Sequence, residues 1–283
     1  MSRQEQLRKR ARELLESKQV VMVVGYRAAS TKGKAQPAFI TKPEDTESLI
    51  FDETCGQNLA GYLLKVKHLG KIAVVAKGCD SRSILVLLKE KQLDRAQLYI
   101  LGVGCAGVTE NGKLSDSCTT CAYPNPVVFD ELVGEPVPPR EIANRQSSIA
   151  NRSPDERWQE LSEDIARCVR CYACRQVCPN CYCPVCFVDA SQPALCGKTT
   201  ELSDNVVFHI MRALHMAGRC VECGSCARAC PMGIDLMKFN RKAAQIVKER
   251  FNAVAGVKED ESPALTVFDP NDQQEFIHSG GTK

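Results

Sequence analysis

Residues 71–105 read KIAVVAKGCDSRSILVLLKEKQLDRAQLYILGVGC, and this stretch decides the fold. Residues 71–76, with IAVVA at their centre, form a β-branched apolar run of strand length, as do residues 98–103, LYILGV. Between them residues 83–91 carry helical periodicity. Two unbroken apolar strands joined through a helix predict parallel strands covered on both faces. Upstream, residues 3–17 read as a helix, 20–24 (VVMVV) as a strand and 59–68 as a helix ending at Gly70. The alternation predicts an α/β N-terminal domain with a mostly parallel sheet over residues 1–140. A Pro-, Asn- and Ser-rich stretch over 133–155 reads as the linker between two independently folded units. After it the chain is cysteine-dense and mostly helical over 155–258, with 155–168 and 201–217 the clearest helices. A polar tail follows over 259–283.

Composition narrows the function. The chain has 283 residues, 44% of them hydrophobic, enough for ordinary globular cores. Lys and Arg number 37 against 34 Asp and Glu, a net charge of +3 that argues for neither nucleic acid nor an anionic membrane surface. The apolar runs at 20–24 and 72–76 fall far short of the roughly 20 residues that cross a bilayer, so no direct membrane insertion is expected. The N-terminus lacks the pattern of a signal peptide. A cytoplasmic protein is expected, whose 17 cysteines are thiols or metal thiolates rather than disulfides. No Ser–His–Asp set, P-loop or HExxH is present, so no catalytic residue is assigned.

Cysteine spacing carries the strongest signal. Cys168-xx-Cys171-xx-Cys174-xxx-Cys178-Pro179 recurs as Cys220-xx-Cys223-xx-Cys226-xxx-Cys230-Pro231. This is the bacterial ferredoxin run, in which three close-set thiolates hold one 4Fe-4S cluster and the fourth reaches the neighbouring cluster. It predicts a ferredoxin-like dicluster domain with Cys168, Cys171, Cys174 and Cys230 on one cluster and Cys220, Cys223, Cys226 and Cys178 on the other. Zinc knuckles are the competing reading, but zinc takes four ligands as separated pairs, often with His. His209 and His215 lie on the helix between the runs and read as structural or solvent-facing.

Nine further cysteines fall into two sets. Cys181, Cys183, Cys186 and Cys196 follow the first run and fit a third cluster, a structural zinc or spare thiols. In the first half, Cys79 and Cys105 follow the two predicted strands, Cys55 precedes a helix, and Cys118 and Cys121 form a CxxC. Loops leaving parallel strands gather at the carboxyl edge, so four of these five are candidates for a fourth cluster. Small buried cysteines in glycine-rich turns are the alternative. Gly102 and Gly104 also allow close approach of a planar cofactor such as FAD, although a bare GxG is weak evidence.

KIAVVAKGCDSRSI, YILGVGCAGV, the CTTC pair and VVFDELVG, all within residues 71–134, resemble the beta subunit of the coenzyme F-420-reducing hydrogenase and dehydrogenase family. The phrases RCVRCYACRQVCPNCYCPVCF and AGRCVECGSCARACPMGI resemble dicluster domains of subunits that accompany heterodisulfide reductase-like and formate dehydrogenase complexes. The resemblance implies an iron–sulfur electron-transfer subunit of an anaerobic oxidoreductase complex. Its partners would be other redox subunits, of a hydrogenase, formate dehydrogenase or heterodisulfide reductase-like system. The alternative it carries is a flavin-containing subunit exchanging electrons with a deazaflavin or another soluble carrier. No flavin-contacting residue is assigned.

Overall fold

The computed structural model describes residues 1–139, 142, 151–194 and 196–264. Parts of the expected linker and tail, 140–141, 143–150 and 265–283, lie outside the described residues. The strands in chain order are β1 (Met22–Ala28), β2 (Ala35–Ile40), β3 (Ile72–Ala76), β4 (Leu98–Val103), the two-residue pair β5 (Thr109–Glu110) and β6 (Lys113–Leu114), and β7 (Glu131–Val133). Five of them form one sheet in the order β2-β1-β3-β4-β7. The pairs β1–β3, β3–β4 and β4–β7 are parallel, and only β1–β2 is antiparallel. The expected mostly parallel α/β region is therefore present.

Strand β3 is buried at all five positions and β4 at all but Tyr99, as unbroken apolar runs require. The helix Arg3–Glu16 opens on a capping box between Ser2 and Glu5 and buries Leu7, Ala11, Leu14 and Leu15 in the core. The helix after β3 spans Gly78–Lys89, five residues earlier than its apolar periodicity begins. Asp80 permits this early start, since its carboxylate accepts from the Lys77 backbone N–H at 2.9 Å and satisfies an orphan donor. Cys79 therefore sits in the first turn of a helix rather than in a loop.

In the second half the longer helices are Pro154–Ala166, Leu202–His215 and Met237–Phe251. The last of these falls within the stretch expected to be mostly helical but was not singled out. Fully buried Asn205 ties the region together, donating through Nδ2 to the carbonyls of Ile165, Cys168 and Thr200. The two halves meet through two arginines, Arg82, which is buried, and Arg228, which is half-buried. Arg82 donates to the carbonyls of Ala255 and Val221, and Arg228 to Gly56 O at 2.6 Å and Ser117 Oγ at 3.0 Å. Among the described residues, no helix is long and apolar enough to cross a membrane.

Candidate metal centres

At the carboxyl edge of the sheet, β3 delivers Cys79 and β4 delivers Cys105. The Cys105 N–H donates to Pro124 O at 2.8 Å, which holds the loop after β4 against the segment leaving Cys121. Cys118 and Cys121 flank the end of a short helical turn, Asp116–Thr119. Backbone amides point at the sulfurs: Gly107 N–H to Cys105 Sγ at 3.3 Å and Val108 N–H to Cys118 Sγ at 3.4 Å. Cys79, Cys105, Cys118 and Cys121 line a single cleft, and Cys223 of the second run lines it too. Cys55 does not. It is wholly buried, its sulfur near Asp52 Oδ1 and Ile50 O, and burial pushes its thiol up to about 12.

The cleft is shaped by a glycine. A Cβ on Gly78 would overlap the backbone carbonyl oxygen of Tyr123, so only glycine lets the segment after Cys121 close over the start of the helix. Beneath it Lys77 is buried, paired with Asp80 Oδ2 at 2.8 Å and bonded to the Tyr26 hydroxyl. Burial opposes the Lys77 charge, but Asp80, Tyr26, Cys79 and Cys105 outweigh it and hold the amine protonated. Burial also drives the Cys79 thiol upward, with Asp80 adding to the rise; Lys77 pulls it back.

The two ferredoxin runs fold alike. Each middle cysteine is flanked by left-handed residues: Arg170 (φ 55°) and Tyr172 (φ 58°) around Cys171, Glu222 (φ 59°) and Gly224 (φ 73°) around Cys223. Each run then closes in a four-residue helical turn, Ala173–Gln176 or Ser225–Arg228. The left-handed turns aim amides at sulfur. Arg170 N–H donates to Cys168 Sγ at 3.4 Å, and Glu222 N–H meets Cys220 in the equivalent place. Such amide nests suit anionic metal–thiolate groups.

The neighbours of each thiol cross between runs. Burial raises the Cys168 thiol first, and the nearby thiols that raise it further are Cys230 and Cys171. Burial pushes Cys178 up to about 12, with Cys226, Cys223 and Cys181 beside it. Cys220 has Cys226, Cys223 and Cys178 around it. Thus Cys230 neighbours the first run and Cys178 the second. All 17 cysteines are free thiols. Among the described residues no three His, Cys, Asp or Glu side chains close on one point as the ligands of a single ion do. A zinc ion draws its sulfurs to about 2.3 Å. A cubane instead takes one thiolate per iron, so its sulfurs stand around a cube.

Two residues on the Leu202–His215 helix stand by the thiols, His209, read from the sequence as structural or solvent-facing, and Arg212, which the sequence did not single out. His209 is buried, with Nε2 3.2 Å from Cys168 Sγ. Burial, with Arg212 and Arg170 alongside, lowers its pKa to about 4, so the imidazole is neutral near pH 7. Against a metal-bound thiolate, which has no proton, Nε2 must carry the hydrogen. Arg212, one turn on, donates to Cys174 O at 3.0 Å. Burial opposes its charge, while Cys178, Cys226, Cys174 and Cys181 raise its pKa. The i, i+3 spacing of these two polar residues on an apolar helix face was the signal that could have found them. Of the remaining set, Cys181, Cys183 and Cys186 line a second cavity, whereas Cys196 is buried against Arg170 Nη2 at 3.5 Å.

No family model matches the chain. It is similar to the F420-dependent formate dehydrogenase subunit beta of Methanocaldococcus jannaschii, at 22% identity over 90% of this chain and 92% of that protein. It is also similar to the F420-dependent formate dehydrogenase 1 subunit beta of Methanococcus maripaludis, at 22% identity over 82% of this chain and 85% of that one. The likeness seen in residues 71–134 thus extends across both halves, and the chain is a distant relative of the beta subunits of F420-dependent formate dehydrogenases.

Proposed function

We propose that the chain is a cytoplasmic electron-relay subunit of an oxidoreductase complex, with a ferredoxin-like dicluster domain docked on an α/β domain that holds a further cluster. Cys168, Cys171, Cys174 and Cys230 take one 4Fe-4S cluster, and Cys220, Cys223, Cys226 and Cys178 the second. Cys79, Cys105, Cys118 and Cys121 take the third. When bound, these groups accept and pass on single electrons. The chain's own residues fix their order and surroundings. The observation that supports the relay best is that Cys223 lines the same cleft as the four sheet-edge cysteines. The second cluster then lies between the sheet edge and the first. Arg228, donating at once to Cys223 O at 2.9 Å and to Gly56 O, holds that junction.

The relatives are subunits of formate dehydrogenases, so the partners are other redox subunits of such an assembly. Iron and sulfide analysis of anaerobically purified protein tests the reading. It expects at least about twelve of each per chain, of which about eight belong to the ferredoxin runs. Iron well below eight in protein never exposed to air would sink it. A second reading, a flavin site exchanging electrons with a deazaflavin, is favoured by the stated F420 dependence of the relatives. A stoichiometric yellow chromophore that survives cluster bleaching would decide for it.

A further inference from the structure

The cavity lined by Cys181, Cys183 and Cys186 has a volume of about 400 Å³ and shares no lining residue with the sheet-edge cleft. All three thiols line this one cavity, and Phe187 lines it with them. Arg175, Arg212 and Arg219 also line it. Two of these are paired, Arg175 with Asp189 at 2.8 Å and Arg219 with Glu90 at 2.6 Å. Arg212 is different. It is 4% exposed, and its Nε has no hydrogen-bond partner among the described residues. Its Nη2 donates to Cys174 O at 3.0 Å and the thiols of Cys178, Cys226, Cys174 and Cys181 stand around it, so the Nε donor alone is left over, and a buried donor without an acceptor is costly.

The cavity offers few ligands besides the thiols. Glu90 is occupied, accepting from Arg219 Nε and from the Tyr182 hydroxyl at 2.5 Å. His215 remains. It stands edge-on to Phe187, the residue after Cys186, with ring centroids 5.2 Å apart. Cys196 does not line the cavity, and its sulfur lies against Arg170 and the carbonyls of Gly197 and Asp204. We propose that this cavity holds an additional iron–sulfur cluster on the thiolates of Cys181, Cys183 and Cys186, with the His215 imidazole on the fourth iron, and that Cys196 is not a ligand. A thiolate-bound cluster is anionic and offers sulfur acceptors to the open Nε of Arg212.

The inference rests on the iron–sulfur reading above, and its test separates the two. The full chain is purified anaerobically beside Cys183→Ser, Cys196→Ser and His215→Ala. Iron, sulfide and zinc are measured, with pulsed paramagnetic resonance of the reduced proteins. Cys183 is exposed, so its substitution spares the core, and a thermal melt confirms folding. Cys183→Ser should lose about four irons per chain, and Cys196→Ser none. The wild type should show a nitrogen coupling that His215→Ala lacks. Unchanged iron in Cys183→Ser, the same loss in Cys196→Ser, or zinc lost in place of iron would overturn the site. Absence of the nitrogen coupling would overturn the role of His215. A wild type without iron would instead bring down the parent reading.

Discussion

His209, with Nε2 3.2 Å from Cys168 Sγ, illustrates how one side chain would adjust the proposed centre without ligating it. A neutral imidazole donating Nε2–H to a thiolate stabilises the more negative, reduced cluster, because hydrogen bonds to sulfur raise the potential. His209→Leu should therefore lower the midpoint potential of the cluster on Cys168 by tens of millivolts, where 59 mV corresponds to about 1.4 kcal/mol for one electron. Iron content should stay unchanged. A potentiometric titration showing no shift would remove His209 from the account. Cys55 makes the opposite point, a thiol whose burial serves the core alone. Its folded pKa is raised from 9.0 to about 12, so the neutral form is favoured on folding. That contribution is fully present below pH 9 and is lost as pH rises toward 12, on the order of a few kcal/mol. Urea melts between pH 8 and 11 should show this fall in the wild type and a shallower one in Cys55→Ala.

At the scale of elements, the residue that governs the sheet-edge cleft is Gly78, at the junction of β3 and its helix. Gly78→Ala drives a Cβ into the Tyr123 carbonyl and should destabilise the chain by about 1–3 kcal/mol, as overpacking does. It should also loosen the cluster on Cys118 and Cys121, read as faster iron loss to a chelator. A variant with wild-type stability and wild-type iron retention would mean that the close approach is not needed. The strands β3 and β4 were legible because unbroken apolar runs leave no other reading. Strand β2 was not, since Pro37 within AQPAFI removes a donor and argues against a strand; it is tolerated because β2 is an edge. The Met237–Phe251 helix was hidden for a different reason. It buries only Met237, Asn240 and Val247, too thin an apolar stripe to register. The early start of the Gly78–Lys89 helix depends on a carboxylate cap, which periodicity does not encode.

Across the whole molecule, spacing alone named the two ferredoxin runs, but not how the halves face each other. Arg82 and Arg228 donate to backbone carbonyls more than a hundred residues away in sequence, and no local pattern announces such partners. These contacts place Cys223 beside the sheet-edge thiols and would set the order of the proposed relay. The proposed assignment also says which cysteine would serve which cluster. The measurement that tests it most directly is paramagnetic resonance of the reduced, anaerobically prepared full chain beside Cys171→Ala, Cys178→Ala and Cys223→Ala. The account predicts that Cys178→Ala perturbs the signal that Cys223→Ala removes, about forty residues downstream, and spares the one lost in Cys171→Ala. A wild type with no cluster signal, or Cys178→Ala and Cys171→Ala perturbing the same signal, would contradict it.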